Sequence, residues 1–445
     1  MAPPLSAPAA RERLDKGARV TVVLLFAAWL IDYIDRLVIN LALPSIGDEF
    51  DLSKTQQGLA VSAFFLAYAA CQVPGGMLAD RFGAKRVTCL ALLVWSAFTA
   101  LTGLAGSFAI LLVVRFLFGV AEGVFPGASM KAVSERTTPG QRMAANGMVQ
   151  SSNAVAAVVA PLAAAPLIAH FGWRSAFFSV AGVGVFVWAA VSLWLPQRRA
   201  ADTPEPGPSG GPAGTAWSAR TVLRSPTMWA FAAMFLGYDI IVWGLNTWVP
   251  SYLNEQRGIS LTSAGAVAVI PAGAATVAII VGGRLSDRLN GNHRRIILPA
   301  MAVASVALAL MATATTTTAF IGWMTVAISV ASLSYMPIFA VPLRSLPTEL
   351  TGAAVGLITL GGQLGGVVAP TVMGMLADTA GFAAAFAFLI VGAVLAAALA
   401  LRTPQDTASF RKALRLPGPS PESVEDLAAP TTPASPEPPV ESESA

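Results

Sequence analysis

The chain has 445 residues, of which 55% are hydrophobic and only 12% are charged, and its mean hydropathy is +0.66. A soluble domain carries about 25% charged residues, so this composition excludes an ordinary soluble protein and indicates an integral membrane protein. The net charge of +4 has the sign that suits nucleic acid. Basic cytoplasmic loops explain the same excess in a membrane protein, so we exclude a nucleic-acid partner and expect the lipid bilayer instead.

Apolar segments long enough to cross a hydrocarbon core of about 30 Å recur along the chain. Charged residues, proline or glycine separate them, and they number twelve: 20–43, 57–79, 87–106, 108–131, 144–168, 172–195, 227–250, 264–285, 294–313, 319–343, 351–376 and 380–401. A Pro/Gly/Ser-rich break divides them into two groups of six. We therefore predict an all-α membrane protein with twelve transmembrane helices in two pseudo-symmetric six-helix halves. The first apolar segment is long enough to span, so we expect it to be retained and not cleaved.

The predicted organisation has five parts. They are a cytoplasmic N-terminal segment (1–19), an N-terminal six-helix bundle (20–195), a cytoplasmic linker (196–226), a C-terminal six-helix bundle (227–401) and a disordered cytoplasmic tail (402–445). Lys and Arg are concentrated before the first span, in the linker and after the second, fourth and eighth spans. The positive-inside rule then predicts that both termini are cytoplasmic. We expect a multi-pass protein of the plasma (inner) membrane, with a monomer as the default state.

The first span contains a group of charged residues. Asp32, Asp35 and Arg36 are spaced three and four apart, so a helix places all three on one face. A charge at bilayer depth costs at least about 2.5–3.5 kcal/mol, and such groups usually face a bundle interior or a water-filled path. One interpretation is an internal ion pair that only holds helices together. The other, which we favour, is a site that handles charge across the membrane.

The fourth span carries a second pair of charged residues. Arg115 and Glu122 are seven apart, two helical turns, and so face the same way. We expect them to meet the charged face of the first span, although Arg115 alone is also compatible with a structural role. Arginine presents a planar fork that matches a carboxylate. A carboxylate removed from water takes up a proton more readily, and its protonation would free a paired arginine to bind an anion.

A short motif occurs once in each half. GGMLADRFGAKR (75–86) follows the second span and GGRLSDRL (282–289) follows the eighth, and both read G-G-x-L-x-D-R. A basic loop after a tight turn would explain the charges but not the repetition. Parallel repeats of this kind are one architecture of secondary transporters. We expect a gating or docking role for Gly76, Asp80, Arg81, Gly83, Lys85, Arg86, Gly283, Asp287 and Arg288.

This motif resembles the signature loop of the major facilitator superfamily, with a weaker copy in the second half. Within that superfamily, IDYIDRLVINLALPSI (31–46) and RFLFGVAEGVFPGAS (115–129) resemble the anion:cation symporter family, whose members generally move organic anions with protons or sodium. The resemblance implies that Arg36 contacts the substrate carboxylate, that Asp35 and Glu122 carry protons, that Arg115 pairs with Asp35, and that Tyr68 lines the cavity. Ordinary helix packing is an equally good explanation of Tyr68.

Two carboxylates depart from the family pattern. Asp32 stands where the family usually has Asn, which adds a candidate proton carrier. Asp239 lies near the middle of the seventh span, where a neutral residue is expected; it is a third protonation site, a counter-charge to an arginine, or a selector for substrates with a positive group. Neutral polar residues elsewhere are candidates for binding substrate: Gln150, Asn153, Tyr238, Trp243, Asn246, Tyr335 and Gln363. Such groups also serve as bonds between helices.

The sequence therefore predicts a secondary active transporter that takes up an organic anion, a sugar acid or other carboxylate, with protons by rocking of its halves. The alternatives are a proton-driven efflux antiporter for drugs or metabolites, and a transporter-like sensor that signals through the acidic tail. No phosphate-binding loop, nucleophile–base pair or metal-ligand cluster stands out in the sequence. We expect no enzyme activity, cofactor or metal.

Overall fold

The computed structural model describes residues 14–196 and 219–416. Every regular element in these two ranges is a helix. In chain order they are α1 (Lys16–Phe50), α2 (Lys54–Phe82), α3 (Ala84–Gly103), α4 (Phe108–Gly123), α5 (Phe125–Ser134), α6 (Pro139–Gln150), α7 (Ser152–Phe171), α8 (Trp173–Trp194), α9 (Ala219–Leu223), α10 (Pro226–Glu255), α11 (Leu261–Arg288), α12 (Arg294–Ala312), α13 (Thr317–Ser332), α14 (Tyr335–Ser345), α15 (Thr348–Arg402) and α16 (Thr407–Ala413).

The described part of the chain has the twelve membrane-length helices that the sequence predicts. Ten stretches are long and apolar enough to span, and one of them, Leu350–Arg402, is two spans joined at Gly381. Gly381 has φ 83°, a left-handed conformation that only glycine adopts without strain, and it ends the eleventh span. The 35-residue helix α1 is the remaining span. The all-α prediction is confirmed.

Three spans are each built from two consecutive helices. The fourth consists of α4 and α5, the fifth of α6 and α7, and the tenth of α13 and α14.

The first two spans are joined by a tight connection. Asp51 ends α1 in the left-handed conformation, and Ser53 begins α2 with a capping box to Gln56, so the chain reverses within three residues.

Each half has its own hydrophobic core. One cluster of buried apolar side chains is drawn from residues 22–195, and the other from residues 222–416. Trp243 of α10 is the exception, because it belongs to the cluster of the N-terminal half. The two halves are therefore separately packed units.

Glycines bring α2 very close to the fourth span. A Cβ atom on Gly119 would lie 2.4 Å from the carbonyl oxygen of Phe64, and one on Gly123 would lie 2.6 Å from that of Tyr68. One turn further, a Cβ on Gly127 would lie 2.7 Å from Cα of Gly76. Small residues at a four-residue spacing allow this backbone approach. The packing fixes α4, and with it the two predicted charged residues of the fourth span, against α2.

The two ends of the bundle differ in how the halves touch. We call the end with the two G-G-x-L-x-D-R segments the motif end, and the other end, where α2 begins, the opposite end. At the opposite end, Asp378 of α15 accepts hydrogen bonds from the backbone amides of Lys54 and Thr55, each at 2.8 Å. Lys54 also forms a 2.6 Å ion pair with Glu255 of α10. Some hydrogen bonds and ion pairs between described residues join the N-terminal half to the C-terminal half. All of these lie closer to the opposite end than to the motif end, so the opposite end is closed.

The tail was predicted to be disordered from residue 402 onward, but its first part is helical. Helix α16 follows the last span, and its Phe410 is buried against the Phe231 ring of α10 at 5.9 Å. An aromatic contact with the C-terminal core explains why these residues are ordered. The rest of the predicted tail, 417–445, lies outside the described residues, as do 1–13 and most of the predicted linker, 197–218.

Candidate functional site

Arg36 is the centre of a buried ion-pair network in the N-terminal half. Its Nε donates to Oε2 of Glu122 at 2.8 Å, and an Nη atom donates to Oδ2 of Asp32 at 2.7 Å. Asp32 and Glu122 are fully buried and Arg36 is 4% exposed. The helical spacing of α1 brings Arg36 next to Asp32, whereas the contact with Glu122 joins residues 86 positions apart. One guanidinium therefore balances two carboxylates.

Aromatic rings surround the Arg36 guanidinium. Its Cζ atom lies 4.2 Å from the centroid of the Tyr68 ring, 5.6 Å from that of Phe64 and 5.8 Å from that of Tyr33. A guanidinium over aromatic faces is attracted by the ring quadrupole, and the attraction is stronger when water is excluded. The predicted site residue Tyr68 thus contacts the arginine directly.

Asp35 is held separately from this network. The hydroxyl of Thr99 in α3 donates to Oδ2 of Asp35, and Oδ1 has no hydrogen-bond partner in the described structure. Its side chain is 1% exposed. Sequence reasoning missed Thr99, because a threonine in an apolar helix commonly bonds only to its own backbone.

The implied ion pair between Arg115 and Asp35 is not formed. Arg115 is fully buried, and none of its three side-chain nitrogens has a hydrogen-bond partner among the described residues. Its Cζ atom instead lies 4.5 Å from the Phe118 ring centroid and 5.1 Å from that of Phe64. The side chain is thus packed between rings with its donors unused, although Oδ1 of Asp35 is also unpartnered. A buried guanidinium with free donors is suited to receive an anion.

Charged side chains of the described chain are buried in few places. Those with less than a tenth of their surface exposed are Asp32, Asp35, Arg36, Arg115, Glu122 and Asp239. Five of the six belong to the first and fourth spans. With all groups ionised, that cluster contains three carboxylates and two guanidiniums, so it has a net charge of −1 and can accept a proton without gaining positive charge.

The C-terminal half faces this cluster through α10. The Trp243 ring lies 6.1 Å from that of Tyr33 and 4.5 Å from that of Phe65, both in the N-terminal half. Tyr33 is partly exposed although it is near the middle of α1, so some open space lies between the halves at this depth. Asp239 is one helical turn before Trp243 and 7% exposed.

The remaining predicted residues are less closely grouped. Tyr238 and Tyr335 pack together with ring centroids 5.7 Å apart, and both lie near Asp239. Asn246 and Gln363 are partly exposed, and Oε1 of Gln363 has no partner in the described structure. The remaining two predicted residues lie on the fifth span, where Gln150 is exposed and Oδ1 of Asn153 is unpartnered. Neither is hydrogen-bonded to Arg36 in the described structure.

The two copies of the motif make equivalent contacts within their own halves. Asp80 accepts a 2.9 Å hydrogen bond from Lys131 of the fourth span, and Asp287 accepts a 2.6 Å hydrogen bond from Arg344 of the tenth. Among the described residues, the motif's own basic side chains, Arg81, Lys85, Arg86 and Arg288, form no ion pair. In this conformation the motif therefore links helices inside each half, and no described ion pair of the motif joins one half to the other. Sequence reasoning missed Lys131 and Arg344, since neither belongs to the motif.

Twelve membrane-length helices in two separately packed halves, with charged side chains buried inside the bundle, are the architecture of a multi-pass transport protein. The sequence model that describes the Major Facilitator Superfamily matches residues 25–370 of this chain, and the chain belongs to that superfamily.

Curated relatives agree with this assignment. The chain is 34% identical over 385 residues to a protein named probable sulfoacetate transporter SauU of Cupriavidus necator, covering 82% of this chain and 89% of that one. It is 32% identical to the hexuronate transporter of Bacillus subtilis, over 60% of this chain and 64% of that one. These relatives confirm the predicted resemblance to anion transporters of the superfamily, which are transporters and not enzymes.

Solved structures support the fold. A bacterial homolog of the human lysosomal transporter Spinster, in an inward-facing and unoccupied conformation, has a TM-score of 0.78 at 20% identity, covering 91% of this chain and all of that one. The inward-facing and occupied form of that protein has a TM-score of 0.75.

Proposed function

We propose that the protein takes up a small organic anion, a sugar acid or other carboxylate, together with protons by alternating access. The observation that carries this proposal is Arg36, a buried guanidinium whose two charged partners, Asp32 and Glu122, can both be protonated. Relatives named for sulfoacetate, hexuronate and galactarate/D-glucarate support an organic anion as the substrate. We further propose that the protein resides in the plasma membrane as a monomer, with both termini cytoplasmic.

Coupling follows from competition for Arg36. While Glu122 and Asp32 are ionised, they occupy the donors of the guanidinium. A proton on Glu122 removes one negative charge from the pair, and Arg36 then offers donors to the carboxylate of a substrate. Loss of the proton on the other side of the membrane restores the pair and expels the substrate. Asp35, whose Oδ1 is unpartnered, is a further proton carrier.

Arg115 is proposed as a second anion-binding group. Its unpartnered nitrogens lie in the same buried cluster, so a substrate with two anionic groups can engage both arginines. Tyr68 holds the Arg36 guanidinium in place through its ring. Polar residues of the fifth span and of the C-terminal half complete the proposed binding surface: Gln150, Asn153, Tyr238, Trp243, Asn246, Tyr335 and Gln363.

Closure at the opposite end supports alternating access. The positive-inside rule makes the motif end cytoplasmic, so the contacts of Asp378 and Glu255 close the outer side of the protein in this conformation. Opening to the outside requires these contacts to break. In our proposal the motif then brings basic side chains such as Arg81 and Arg86 against the other half.

Asp239 is the specific observation that favours a second candidate, a proton-driven efflux antiporter. A buried carboxylate in the C-terminal half suits a cationic drug or metabolite better than a simple anion. The two candidates predict opposite charge preferences and opposite directions of substrate movement relative to the protons.

Uptake into proteoliposomes tests the proposal. Labelled sugar acids, sulfoacetate and dicarboxylates are presented with and without an inward proton gradient, to wild type, Arg36→Ala and Glu122→Gln. We expect gradient-driven accumulation by wild type, no binding by Arg36→Ala, and exchange without accumulation by Glu122→Gln. Failure of every anion to accumulate, together with proton-driven export of a cation, would replace the proposal by the antiporter.

A further inference from the structure

Asp239 has no charge partner in the described structure. It lies near the middle of α10, forms no ion pair, and accepts no hydrogen bond among the described residues. The described Lys and Arg residues of the C-terminal half all lie in the last two turns of a helix, at a helix start, in α9, α16 or a connection. In the N-terminal half, Arg36 is bound by two carboxylates and Arg115 is packed between Phe64 and Phe118. The described residues therefore supply no positive partner for Asp239, and we look for that partner in a bound molecule.

The surroundings of this carboxylate are aromatic. The phenol groups of Tyr33, Tyr238 and Tyr335 are close enough to interact with it electrostatically. Tyr238 is stacked on Phe235 at 5.6 Å, and Tyr335 packs edge-on to the same ring at 5.5 Å. Aromatic side chains near a carboxylate suit an ammonium group, which is attracted by the carboxylate and by aromatic ring faces. A bare proton would need no such rings.

Two glycines of α15 make room for the carboxylate. A Cβ atom on Gly362 would lie 2.1 Å from Oδ2 of Asp239, and one on Gly365 would lie 3.0 Å from its Cβ. Any larger residue at position 362 would occupy the space of the carboxylate. The acidic side chain is thus accommodated by its neighbours and is built into the helix pair.

Asp239 and Arg36 lie on either side of the contact between the Tyr33 and Trp243 rings. Tyr33 is 5.8 Å from the Arg36 guanidinium and 6.1 Å from the Trp243 ring, and Trp243 is one helical turn from Asp239. The anion-binding group of one half and the free carboxylate of the other therefore flank the same space. A molecule that spans this space meets a positive group at one end and a negative group at the other.

We propose that the transported organic anion also carries an ammonium group, and that Asp239 binds that group while Arg36 binds the anionic group. This inference rests on the proposed uptake of organic anions and adds the substrate class, an amino-substituted carboxylate or sulfonate. A substrate that bridges the halves also joins them during the transport cycle. Protonation chemistry is already supplied by Asp32, Asp35 and Glu122, so Asp239 is left to determine specificity.

Matched substrate pairs test this assignment. The probes are ω-amino carboxylates of two to six carbons and 2-aminoethanesulfonate, each compared with the hydroxyl compound of equal length, in proteoliposomes with an inward proton gradient. For wild type we expect uptake of one amino compound to exceed that of its hydroxyl partner at least tenfold. Asp239→Asn should abolish this preference and leave uptake of the hydroxyl partner within twofold of wild type. That remaining uptake also shows that the variant is folded.

A binding measurement gives an independent readout. In detergent, the preferred amino compound should raise the melting temperature of wild type but not that of Asp239→Asn. Gly362→Ser, which places side-chain atoms in the space of the carboxylate, should lose the same shift.

Each failure has a separate meaning. Uptake of hydroxyl acids without any amino preference overturns the ammonium site and leaves anion uptake standing. An amino preference that survives Asp239→Asn also overturns the site. Equal loss of every substrate in a folded Asp239→Asn variant assigns the residue to proton coupling instead. If neither member of any pair accumulates, the anion-uptake proposal itself fails.

Discussion

Arg36 and Glu122 are joined by a 2.8 Å ion pair across the first and fourth spans, and both are buried from solvent. Breaking a buried pair by removing one partner costs about 3–5 kcal/mol, since an uncompensated charge remains. The contact is therefore too costly to be lost passively. When the pair is broken, a proton can neutralise the Glu122 carboxylate and an anionic substrate can neutralise the Arg36 guanidinium. The pair is therefore suited to couple proton binding to substrate binding.

Replacement of Arg36 by lysine tests whether substrate binding needs the planar shape of the guanidinium in addition to its positive charge. Arg36→Lys keeps the positive charge but lacks the planar fork, so it cannot serve two carboxylates and a substrate in the same geometry. We expect at least a tenfold loss of substrate affinity in Arg36→Lys and no detectable binding in Arg36→Ala, measured by equilibrium binding in detergent. Arg174→Lys is the control, because Arg174 pairs with Glu49 at the partly exposed opposite end. Unchanged affinity in Arg36→Lys would show that the fork is not used.

Close packing of α2 against the fourth span predicts a strong effect of a single methyl group. A Cβ on Gly123 would lie 2.6 Å from the carbonyl oxygen of Tyr68, and a backbone cannot move aside as a flexible side chain can. Gly123→Ala should lower stability by about 1–3 kcal/mol through overpacking. Gly147→Ala is the matched control, since no atom lies within 4 Å of its Cβ position. Equal melting temperatures for the two variants would contradict this packing.

Contacts at the opposite end must break during the cycle if access alternates. The hydroxyls of Ser62 and Thr371 lie 2.8 Å apart across the halves. Ser62→Cys/Thr371→Cys, in a background without Cys71 and Cys89, should form a disulfide on oxidation that stops uptake, and reduction should restore it. Each single cysteine variant should be insensitive to oxidation. Full uptake by the cross-linked protein would show that this end need not open.

His293 makes the stability of the C-terminal half sensitive to acid. It is buried at the motif end, with Nε2 2.9 Å from both Thr403 and Gln405, and burial together with the nearby Arg294 lowers its pKa to about 4. The unfolded chain has the ordinary pKa of 6.5. Between these values the unfolded state binds the proton and the folded state does not, so stability is full above pH 6.5 and falls as the pH drops towards 4. The full loss is about 3 kcal/mol. The melting temperature of His293→Gln should fall less between pH 6.5 and 4.5 than that of wild type, and parallel curves would contradict this role.

Sequence patterns predicted the fold because each span is a local property. Length and hydropathy predicted the twelve helices, and the Pro/Gly/Ser-rich break, together with the repeated motif, predicted the two halves. The shared helix face of Asp32 and Arg36 likewise follows from spacing alone.

Contacts between distant helices were predicted less well. The spacing of Arg115 and Glu122 placed the fourth span beside the first, but it did not show which carboxylate each arginine would meet. Thr99 takes the place that the resemblance gave to Arg115, and Asp378 caps α2 from the other half. Such contacts depend on how whole helices are oriented, which no local pattern records.

The pH dependence of substrate affinity shows whether a proton on Glu122 releases Arg36. If a proton on Glu122 releases Arg36, the affinity of the purified wild-type protein for its anion should rise at least tenfold as the pH is lowered. Glu122→Gln imitates the protonated acid, so its affinity should be high and should change with pH much less than that of wild type. An affinity that depends on pH equally in wild type and Glu122→Gln would contradict the account.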